Sequence, residues 1–398
     1  MKIHKLFEEN TLDVSSILTP DIKKIGKLFR DEGHEVRVVG GAVRDALLGK
    51  TPKDIDLATT ATPQEMVGIG KKYDLRVVDT GSEHGTLTFV INDEPYEITT
   101  LRIDTETDGR HATVAWTRDF KEDARRRDLT YNAMSIDIEG KLYDYFNGHD
   151  DLKNKKTKFV GDANERIQED YLRILRYFRF LSRQEGRTSD AETLSKIESN
   201  KDGLKNISAE RIWAEVSKMA KQPNLEQALK EMESSGVLGA IGMPFNSNRV
   251  KASVQASKHP QIRPEAVIAS LMVGSDLSSA RHFVETMKMS LPEQKVMTYI
   301  LSQSHIKNTE SSFLESIFLD GIDPELVHQS ALANGDTVAL NAYQKAKNAE
   351  PFPITGKDLI EQGFTPGPEF GRIINSLKKE WIQSGFKLNK QQLLGKVK

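Results

Sequence analysis

The chain has 398 residues, of which 56 are Lys or Arg and 58 are Asp or Glu, so its formal net charge is −2 at pH 7. That balance gives no overall basic field, and a nucleic-acid partner would require a local basic surface. The absence of cysteine excludes a disulfide framework or a zinc–thiolate site and favours a cytoplasmic protein. No apolar run reaches the roughly 18 residues of a membrane span, and residues 1–10 lack a signal-peptide core, so we expect no membrane partner.

The predicted elements change type along the chain. A leading helix is centred on residues 21–32, and strands alternate with short helices from about Val36 to Tyr145. After residues 159–161 the strand signals nearly vanish and helices dominate, with a turn at residues 365–368 that opens a helix over residues 369–379. This order predicts an α+β protein whose second half is helical.

A pair of glycines follows the first predicted strand, Glu35–Val39. Gly40 and Gly41 allow a sharp turn from which no side chain projects, so the backbone there can approach a phosphate. Residues 42–48 form a predicted short helix whose free N–H groups would point at the turn, and Arg44 adds a positive charge. An isolated Gly-Gly pair after a strand is more often a plain turn, and the dinucleotide fingerprint G-x-G-x-x-G is absent.

Two carboxylates stand just beyond that helix, at Asp54 and Asp56. In a strand, alternation places both on one face and Ile55 on the other, with the carboxylates about 7 Å apart. Hard oxygen ligands at that spacing suit a pair of magnesium ions bridged by the phosphates of a nucleotide. A D-x-D also arises by chance in many proteins, so the order of strand, Gly-Gly, helix and D-x-D carries the inference.

A third carboxylate on a neighbouring strand could complete a two-metal site. Glu97 is the candidate, since residues 95–102 have strand character and alternation separates Glu97 from Tyr96 and Ile98. The alternative is an ordinary polar position on a half-buried strand. Residues 103–113, which follow, are polar without an apolar period, and we expect a mobile loop there.

Three consecutive arginines, at 125–127, precede Asp128 and Asn132. An isolated triplet of this kind is usually a solvated helix face. A second basic pattern occupies residues 169–183, where Leu172, Leu175 and Phe178 recur at helical spacing and should face a core. On another face an arginine stripe recurs every three or four residues: Arg173, Arg176, Arg179 and Arg183. Such a stripe is either a wet surface or a track for a phosphate backbone.

Asp170 and Arg173 lie three residues apart, which places them on one face of the predicted helix. An aspartate accepts hydrogen bonds and an arginine donates them. Cytosine and adenine each present an exocyclic amine beside a ring-nitrogen acceptor, whereas uracil and guanine present an oxygen and a ring N–H. The pair could therefore select C and A, with a mismatch costing about 1–3 kcal/mol for each unpaired group. The alternative is a structural ion pair of about 0.3–0.5 kcal/mol.

Together these patterns closely resemble the class II tRNA nucleotidyltransferases, the CCA-adding enzymes and their poly(A) polymerase relatives, within the polymerase-β-like superfamily. Residues 40–56 match the family's catalytic motif. Its ribose-reading motif is matched by Arg126, Arg127, Asp128 and Asn132. Its nucleotide-selecting E-D-x-x-R motif is matched by Glu169, Asp170 and Arg173. The resemblance is most specific in the first half of the chain and continues more weakly into the tail.

The resemblance implies an architecture of four parts. These are a catalytic head of mixed sheet and helices over residues 1–150, a helical neck over 151–205, a helical body over 206–300 and a helical tail over 301–398. The loop at residues 103–113 matches the flexible loop that such enzymes need for the switch from C to A. Residues 371–398 carry a net charge of +6, so the tail is a candidate tRNA contact, or only a soluble basic terminus.

The activity implied is the addition of C, C and A to the 3′ end of tRNA from CTP and ATP, without a nucleic-acid template and with release of pyrophosphate. Asp54 and Asp56 would hold two Mg²⁺ ions. Nucleotide contacts are expected from the Gly40–Gly41 turn, Arg44, the ribose-reading and E-D-x-x-R residues, and Arg176 and Arg179. No DNA partner is expected. A CC-only enzyme or a poly(A) polymerase on the same fold is the alternative.

Overall fold

The computed structural model describes residues 14–107, 112–303 and 309–397. The chain divides into two compact units, one of residues 1–207 with 230–237 and the other of residues 208–229 with 238–398. Every strand of the described residues belongs to the first unit, and the second is helical. The α+β prediction is thereby confirmed, while the finer division into head, neck, body and tail stays a prediction.

The strands of the first unit are β1 Val36–Val39, β2 Leu57–Thr59, β3 Arg76–Gly81, β4 Thr86–Ile91, β5 Glu94–Thr100, β6 Arg102–Thr107, β7 Ala112–Trp116, β8 Ser135–Asp137 and β9 Leu142–Tyr143. Its helices are α1 Pro20–Asp31, α2 Gly41–Leu47, α3 Pro63–Lys72, α4 Phe120–Arg125, α5 Gly148–Lys153, α6 Ala163–Glu169, α7 Leu172–Ser182 and α8 Ala191–Asn200. Short 3₁₀ turns cover Ser82–His84, Thr130–Asn132 and Lys201–Asn206. The leading helix α1 lies within one residue of the predicted 21–32, because Thr19 caps it and Pro20 opens it.

Seven strands form one mixed sheet in the order β3-β4-β5-β2-β1-β8-β9. Strand β2 pairs in parallel with β5, with Leu57 opposite Ile98, and the other neighbours in this sheet pair antiparallel. Strand β1 lies between β2 and β8, and all four of its residues are buried. The Gly-Gly turn that follows β1 is therefore held at the centre of the sheet, where both neighbouring strands restrict it.

The segment predicted as a mobile loop, residues 103–113, is not one in the described part of the chain. Strands β6 and β7 form a two-stranded antiparallel sheet, with Arg102 opposite Trp116, and residues 108–111 lie outside the described residues. The loop was predicted because these residues lack an apolar period. That prediction was wrong, since a hairpin needs only β-compatible residues and a cross-strand partner. At the base of the hairpin the Thr117 N–H donates to the Leu101 carbonyl at 3.0 Å.

The remaining helices are α9 Ala209–Met219, α10 Leu225–Ser234, α11 Val237–Ala240, α12 Val250–Ser257, α13 Pro264–Met272, α14 Leu277–Thr286, α15 Leu291–Gln303, α16 Glu310–Phe318, α17 Pro324–Asn334, α18 Thr337–Asn348, α19 Gly356–Glu361, α20 Pro368–Gln383 and α21 Lys390–Leu394. Trp381 is 2% exposed at the centre of the carboxyl-terminal core, with the rings of Phe318, Phe352 and Phe386 at 4.7–5.4 Å. Among the helices of the described ranges, none is long and apolar enough to cross a membrane.

Some of the basic charge near the carboxyl end is engaged within the second unit. Lys390 pairs with Asp358 at 2.5 Å and Lys396 pairs with Glu380 at 2.7 Å. The Lys378 ammonium donates to the Phe318 carbonyl at 3.1 Å. A role for the tail in contacting tRNA stays a prediction. Fewer of its lysines are free to bind a phosphate backbone than the composition suggested.

Candidate active site

The turn after β1 requires glycine at its first position. Gly40 has φ +69° and ψ −122°, a backbone conformation that residues with a Cβ rarely adopt. A Cβ built on Gly40 would also lie 2.8 Å from Nη1 of Arg127, which is closer than a real contact allows. The glycine thus lets the chain turn into α2 and lets an arginine from another element lie directly against the turn.

The backbone N–H groups of the two glycines have different roles. The Gly40 N–H donates to the Met134 carbonyl at 3.1 Å, so the expectation that this N–H faces a phosphate is not met. The first intrahelical bond of α2 runs from the Arg44 N–H to the Gly40 carbonyl at 3.1 Å. The N–H groups of residues 41–43 therefore have no partner within the helix, which leaves Gly41 as the backbone candidate at this turn.

Asp54 and Asp56 lie in the extended segment before β2, not in a strand as predicted. The Val39 N–H of β1 donates to the Asp56 carbonyl at 3.0 Å, and strand β2 itself begins at Leu57. The alternation is nevertheless present, because both carboxylates are exposed while Ile55 is half-buried. Over the described ranges neither carboxylate is paired with a protein group. Two unpaired carboxylates are the hard oxygen donors that Mg²⁺ prefers, so the residues fit that ion.

Glu97 lies on β5 beside the position of Asp56. Because Ile98 pairs with Leu57 in the parallel register, the residue before each is adjacent across the two strands. Ile98 and Leu57 are fully buried on one face, and Glu97 is exposed on the other. No group of three Asp, Glu, His or Cys side chains converges on a metal-sized site in the described part of the chain. Glu97 as a third carboxylate stays a prediction.

A continuous chain of hydrogen bonds links α2, the Thr130–Asn132 turn and α7. The Arg44 guanidinium donates twice to the Asp45 carboxylate, at 2.9 and 3.0 Å, and to Oδ1 of Asn132 at 2.6 Å. The Asn132 amide donates in turn to Asp128 at 3.1 Å, and Asp128 accepts from Nε of Arg176 at 2.8 Å. Four of these side chains come from α2, the turn and α7, and Asp128 lies just before the turn. All five fix one another, and Asp45 was not among the residues predicted for the site.

Asp128 is the buried carboxylate in this series of hydrogen bonds, which we call the Asp128 network, with 6% of its surface exposed. Burial alone would raise its pKa, but the charge of Arg176 and the hydrogen bonds from Asn132, Arg176 and the Leu129 N–H outweigh burial and lower the pKa below its ordinary value. The carboxylate is therefore ionised at neutral pH and holds Arg176 in place. Both of its oxygens are already bonded to protein groups.

The arginine triplet is not a solvated helix face. Arg125 is the exposed member, with 56% of its side chain accessible, whereas the side chains of Arg126 and Arg127 are 21% and 23% exposed. Both of the latter pair with Asp123, a buried carboxylate on α4 that the sequence analysis did not select. Its spacing to the two arginines, three and four residues, is compatible with an ion pair on a helix, but the spacing does not show that the pair is formed or buried.

Asp170 and Arg173 do not share a helix as predicted. Helix α6 ends at Glu169, Asp170 has extended backbone angles, and α7 begins at Leu172. One Asp170 carboxylate oxygen accepts from the Leu172 N–H at 3.1 Å, which caps the start of α7 and explains the break. The two residues remain near each other, because the Arg173 N–H donates to the Asp170 carbonyl at 2.9 Å.

The Arg173 guanidinium is fixed by three acceptors. It pairs with the Glu169 carboxylate and donates to the carbonyls of Arg166 and Arg126, each at 2.9 Å. Its side chain is 13% exposed. Arg173 is therefore held rigidly between α6 and the arginine triplet, which is the kind of pre-organisation that a selective contact requires.

The remaining arginines of the α7 stripe are half-buried and lie around Phe180. The guanidinium carbons of Arg176, Arg179, Arg183 and Arg44 lie 4.3–5.8 Å from the centre of the Phe180 ring. Burial, and secondarily the charge of Arg44, lowers the pKa of Arg183 below its ordinary value. Four guanidinium groups are thus concentrated around one ring, an arrangement suited to a polyphosphate.

Known proteins give a consistent comparison. Residues 36–158 match a family model described as the Poly A polymerase head domain, and residues 188–242 match one described as a probable RNA and SrmB-binding site of polymerase A. The mitochondrial CCA tRNA nucleotidyltransferase 1 of Mus musculus is 38% identical, over 97% of this chain and 92% of its own. The CCA-adding enzyme of Pediococcus pentosaceus is 32% identical, over 95% and 97%.

Solved structures agree with these relatives. The Bacillus stearothermophilus CCA-adding enzyme in complex with CTP superposes with a TM-score of 0.73 at 25% identity, covering 94% of this chain and 96% of that one. A Thermotoga maritima CCA-adding enzyme complexed with tRNA shares the fold with a TM-score of 0.71 at 20% identity, over 96% and 97%. The mixed-sheet head followed by helices is thus confirmed as the fold of these proteins. The chain belongs to the family of CCA-adding enzymes, the CCA tRNA nucleotidyltransferases.

Proposed function

We propose that the protein adds C, C and A to the 3′ end of tRNA, using CTP and ATP and no nucleic-acid template, and releases pyrophosphate. The observation that carries this proposal is the 38% identity to a CCA tRNA nucleotidyltransferase over 97% of the chain. The stretch of similarity includes the Gly-Gly turn, the D-x-D pair and the α7 arginines within one unit of the fold.

Asp54 and Asp56 would hold divalent metal, which we propose is a pair of Mg²⁺ ions. When bound, such ions neutralise the triphosphate and favour the attacking form of the tRNA 3′-hydroxyl. The two carboxylates suit this role because they are exposed and have no protein partner among the described residues. Glu97, beside Asp56 in the sheet register, would complete the ligand set.

The protein's contribution to transfer is mainly positioning. Gly41 and the arginines around Phe180 would receive the triphosphate, with Arg44, Arg176 and Arg179 supplying positive charge. Since the polar atoms of Asp128 and Asn132 are bonded to protein groups, we propose that these two residues act on the nucleotide by fixing Arg176 and Arg44. Arg127, against Gly40, would then contact the ribose.

Base selection would use Asp170 and the rigid Arg173. An acceptor and a donor side by side match the amine and ring nitrogen shared by cytosine and adenine. Glu169 would act through Arg173, whose guanidinium it pairs with. A template strand is unnecessary in this arrangement, because the protein itself presents the pairing edge.

Two alternatives on the same fold make different products. A poly(A) polymerase is favoured by the description of the head-domain family, and a CC-only enzyme would stop after two additions. Purified protein with Mg²⁺ and a tRNA transcript lacking its 3′ end should be given CTP, ATP or both, and products sized at single-nucleotide resolution. Two additions with CTP and a third only with ATP present are expected. Long ladders from ATP alone would reassign the protein to poly(A) synthesis, and a stop after two additions would make it CC-only.

The compartment is a separate proposal. We propose the cytoplasm, on the ground that the chain has no cysteine. Relatives named as mitochondrial and relatives from bacteria are both similar along nearly the whole chain, so fractionation of cells with an antibody to the protein is the test. Recovery with mitochondria would contradict the proposal.

A further inference from the structure

Asp123 is a buried carboxylate that joins separate parts of the first unit. It lies on α4 with 3% of its surface exposed. One of its oxygens accepts from Nε of Arg126 at 2.9 Å and from the Arg102 backbone N–H at 3.3 Å. The other accepts from Nη2 of Arg127 at 3.4 Å. A single side chain therefore contacts both arginines of the ribose-reading motif and the first residue of β6.

Each partner leads directly to a different feature of the site. Nη1 of Arg127 lies 2.8 Å from where a Cβ of Gly40 would be, so Asp123 holds one side of a guanidinium whose other side covers the catalytic turn. The Arg126 carbonyl accepts from Arg173 at 2.9 Å. Arg102 begins the hairpin of β6 and β7 and donates from Nη1 to the His84 carbonyl at 3.0 Å.

The charge of Asp123 is kept despite burial. Burial would raise the pKa of this carboxyl, but the positive charges of Arg127 and Arg126 outweigh burial and lower the pKa below its ordinary value. Bonds from a guanidinium to an ionised carboxylate are stronger and more directional than neutral ones. An ionised carboxylate at this position can fix the orientation of the Arg127 guanidinium. The long arginine side chain would not hold that orientation by itself.

We propose that Asp123 is a positioning residue for the incoming nucleotide, which holds the Arg127 guanidinium against Gly40 and ties it to the base of the β6–β7 hairpin. The proposal rests on the proposed function, because Arg127 is there assigned to the ribose. Asp123 need not touch the nucleotide. Its loss should free Arg127 and so weaken the contact that distinguishes a ribonucleotide from a deoxyribonucleotide.

The test compares Asp123→Asn with Asp137→Asn as a matched control. Asp137, on strand β8 of the seven-stranded sheet, is also buried. It accepts from the backbone N–H groups of Glu139 and Lys141 and from the Tyr143 hydroxyl, and from none of the three arginines of the triplet. For Asp123→Asn we expect the KM for CTP to rise by about tenfold and the preference for CTP over dCTP to fall by a similar factor, the size of one charge-assisted bond. Asp137→Asn should change stability but neither of these readouts.

A double-mutant cycle separates positioning from general damage. If Asp123 acts through Arg127, Asp123→Asn should add little to the KM effect of Arg127→Ala, whereas Asp137→Asn should be additive with it. Asp123→Glu keeps the charge but displaces it by one methylene, so it serves if Asp123→Asn does not fold; we expect a smaller shift in the same direction. An unchanged CTP preference in these Asp123 variants, or full additivity with Arg127→Ala, overturns the proposal.

The same experiment distinguishes failure of the inference from failure of the proposed function. Transfer from CTP by the unmodified protein, with an unchanged ribose preference in the Asp123 variants, contradicts the positioning role alone. No transfer from CTP or ATP by the unmodified protein contradicts both.

Discussion

The D-x-D segment and the Asp128 network carry carboxylates of opposite character within one unit of the fold. Asp54 and Asp56 are exposed and have no protein partner in the described ranges, whereas Asp128 is 6% exposed and bonded at both oxygens. The difference indicates a division of labour. In the proposed function, the two carboxylates that would hold metal are left unsatisfied by the protein, and the carboxylate that would position Arg176 is satisfied before any ligand arrives.

The largest effect should come from the unsatisfied pair. Asp54→Ala is expected to reduce nucleotide transfer by about a thousandfold or more, since it removes a proposed metal ligand, and the bound metal would stabilise charge on the reacting phosphate. Its unfolding free energy should change by less than about 0.5 kcal/mol, because an exposed side chain without partners is lost. Transfer assays and urea unfolding of the same preparation measure both. Activity close to the unmodified protein would refute the metal assignment.

The network should show the reverse pattern, with a large effect on stability. Asp128→Asn removes a buried charge and leaves Arg176 without its counter-ion, for an expected loss of about 2–4 kcal/mol, somewhat less than for a fully buried pair because Arg176 is 35% exposed. Urea unfolding measures it. A stability equal to that of Asp54→Ala would remove the distinction between the two regions.

The turn between the two regions gives a smaller and sharper test. Gly40→Ala places a Cβ at φ +69° and against Arg127, and should cost about 1–3 kcal/mol. Gly41→Ala is the matched control, since its Cβ would meet the nearest atom, Nη2 of Arg44, at an ordinary 3.6 Å. Thermal unfolding of the two variants should therefore differ. Equal loss in both would mean that the conformation of Gly40 is not what the turn requires.

The smallest effect concerns pH. The pKa values of Asp123 and Asp128 are lowered in the folded protein because their arginine partners outweigh burial. Their contribution to stability is thus fully present above the unfolded value of about 3.9 and is lost as the pH falls through the folded values. The gap in unfolding free energy between the unmodified protein and Asp128→Asn should narrow from about pH 6 to about pH 3. A constant gap would contradict the charge of Asp128.

The sequence predicted the structural features that depend on local pattern. The apolar repeat of Leu172, Leu175 and Phe178 marked the buried face of α7, and all three side chains are buried. The strand and glycine signals located β1 and the start of α2. These features follow from periodicity and from backbone freedom, which are properties of neighbouring residues.

The errors arose where tertiary contacts decide. Asp170 lies outside the helix because its own side chain caps the next one, and residues 103–107 form a strand because a partner strand is present. Asp45 and Asp123 were missed because a carboxylate beside arginines in the sequence looks the same whether the pair is exposed or buried. Only the fold shows which arginines these residues hold.

The most direct test of the division of labour is equilibrium binding of CTP in the presence of EDTA, so that no metal contributes. We expect Asp54→Ala to bind CTP as tightly as the unmodified protein, since its proposed role is to hold metal. Asp128→Asn, compared under conditions where it is folded, should bind about tenfold more weakly because Arg176 loses its anchor. Weakened binding by Asp54→Ala together with normal binding by Asp128→Asn would show that the two kinds of carboxylate do not divide these roles.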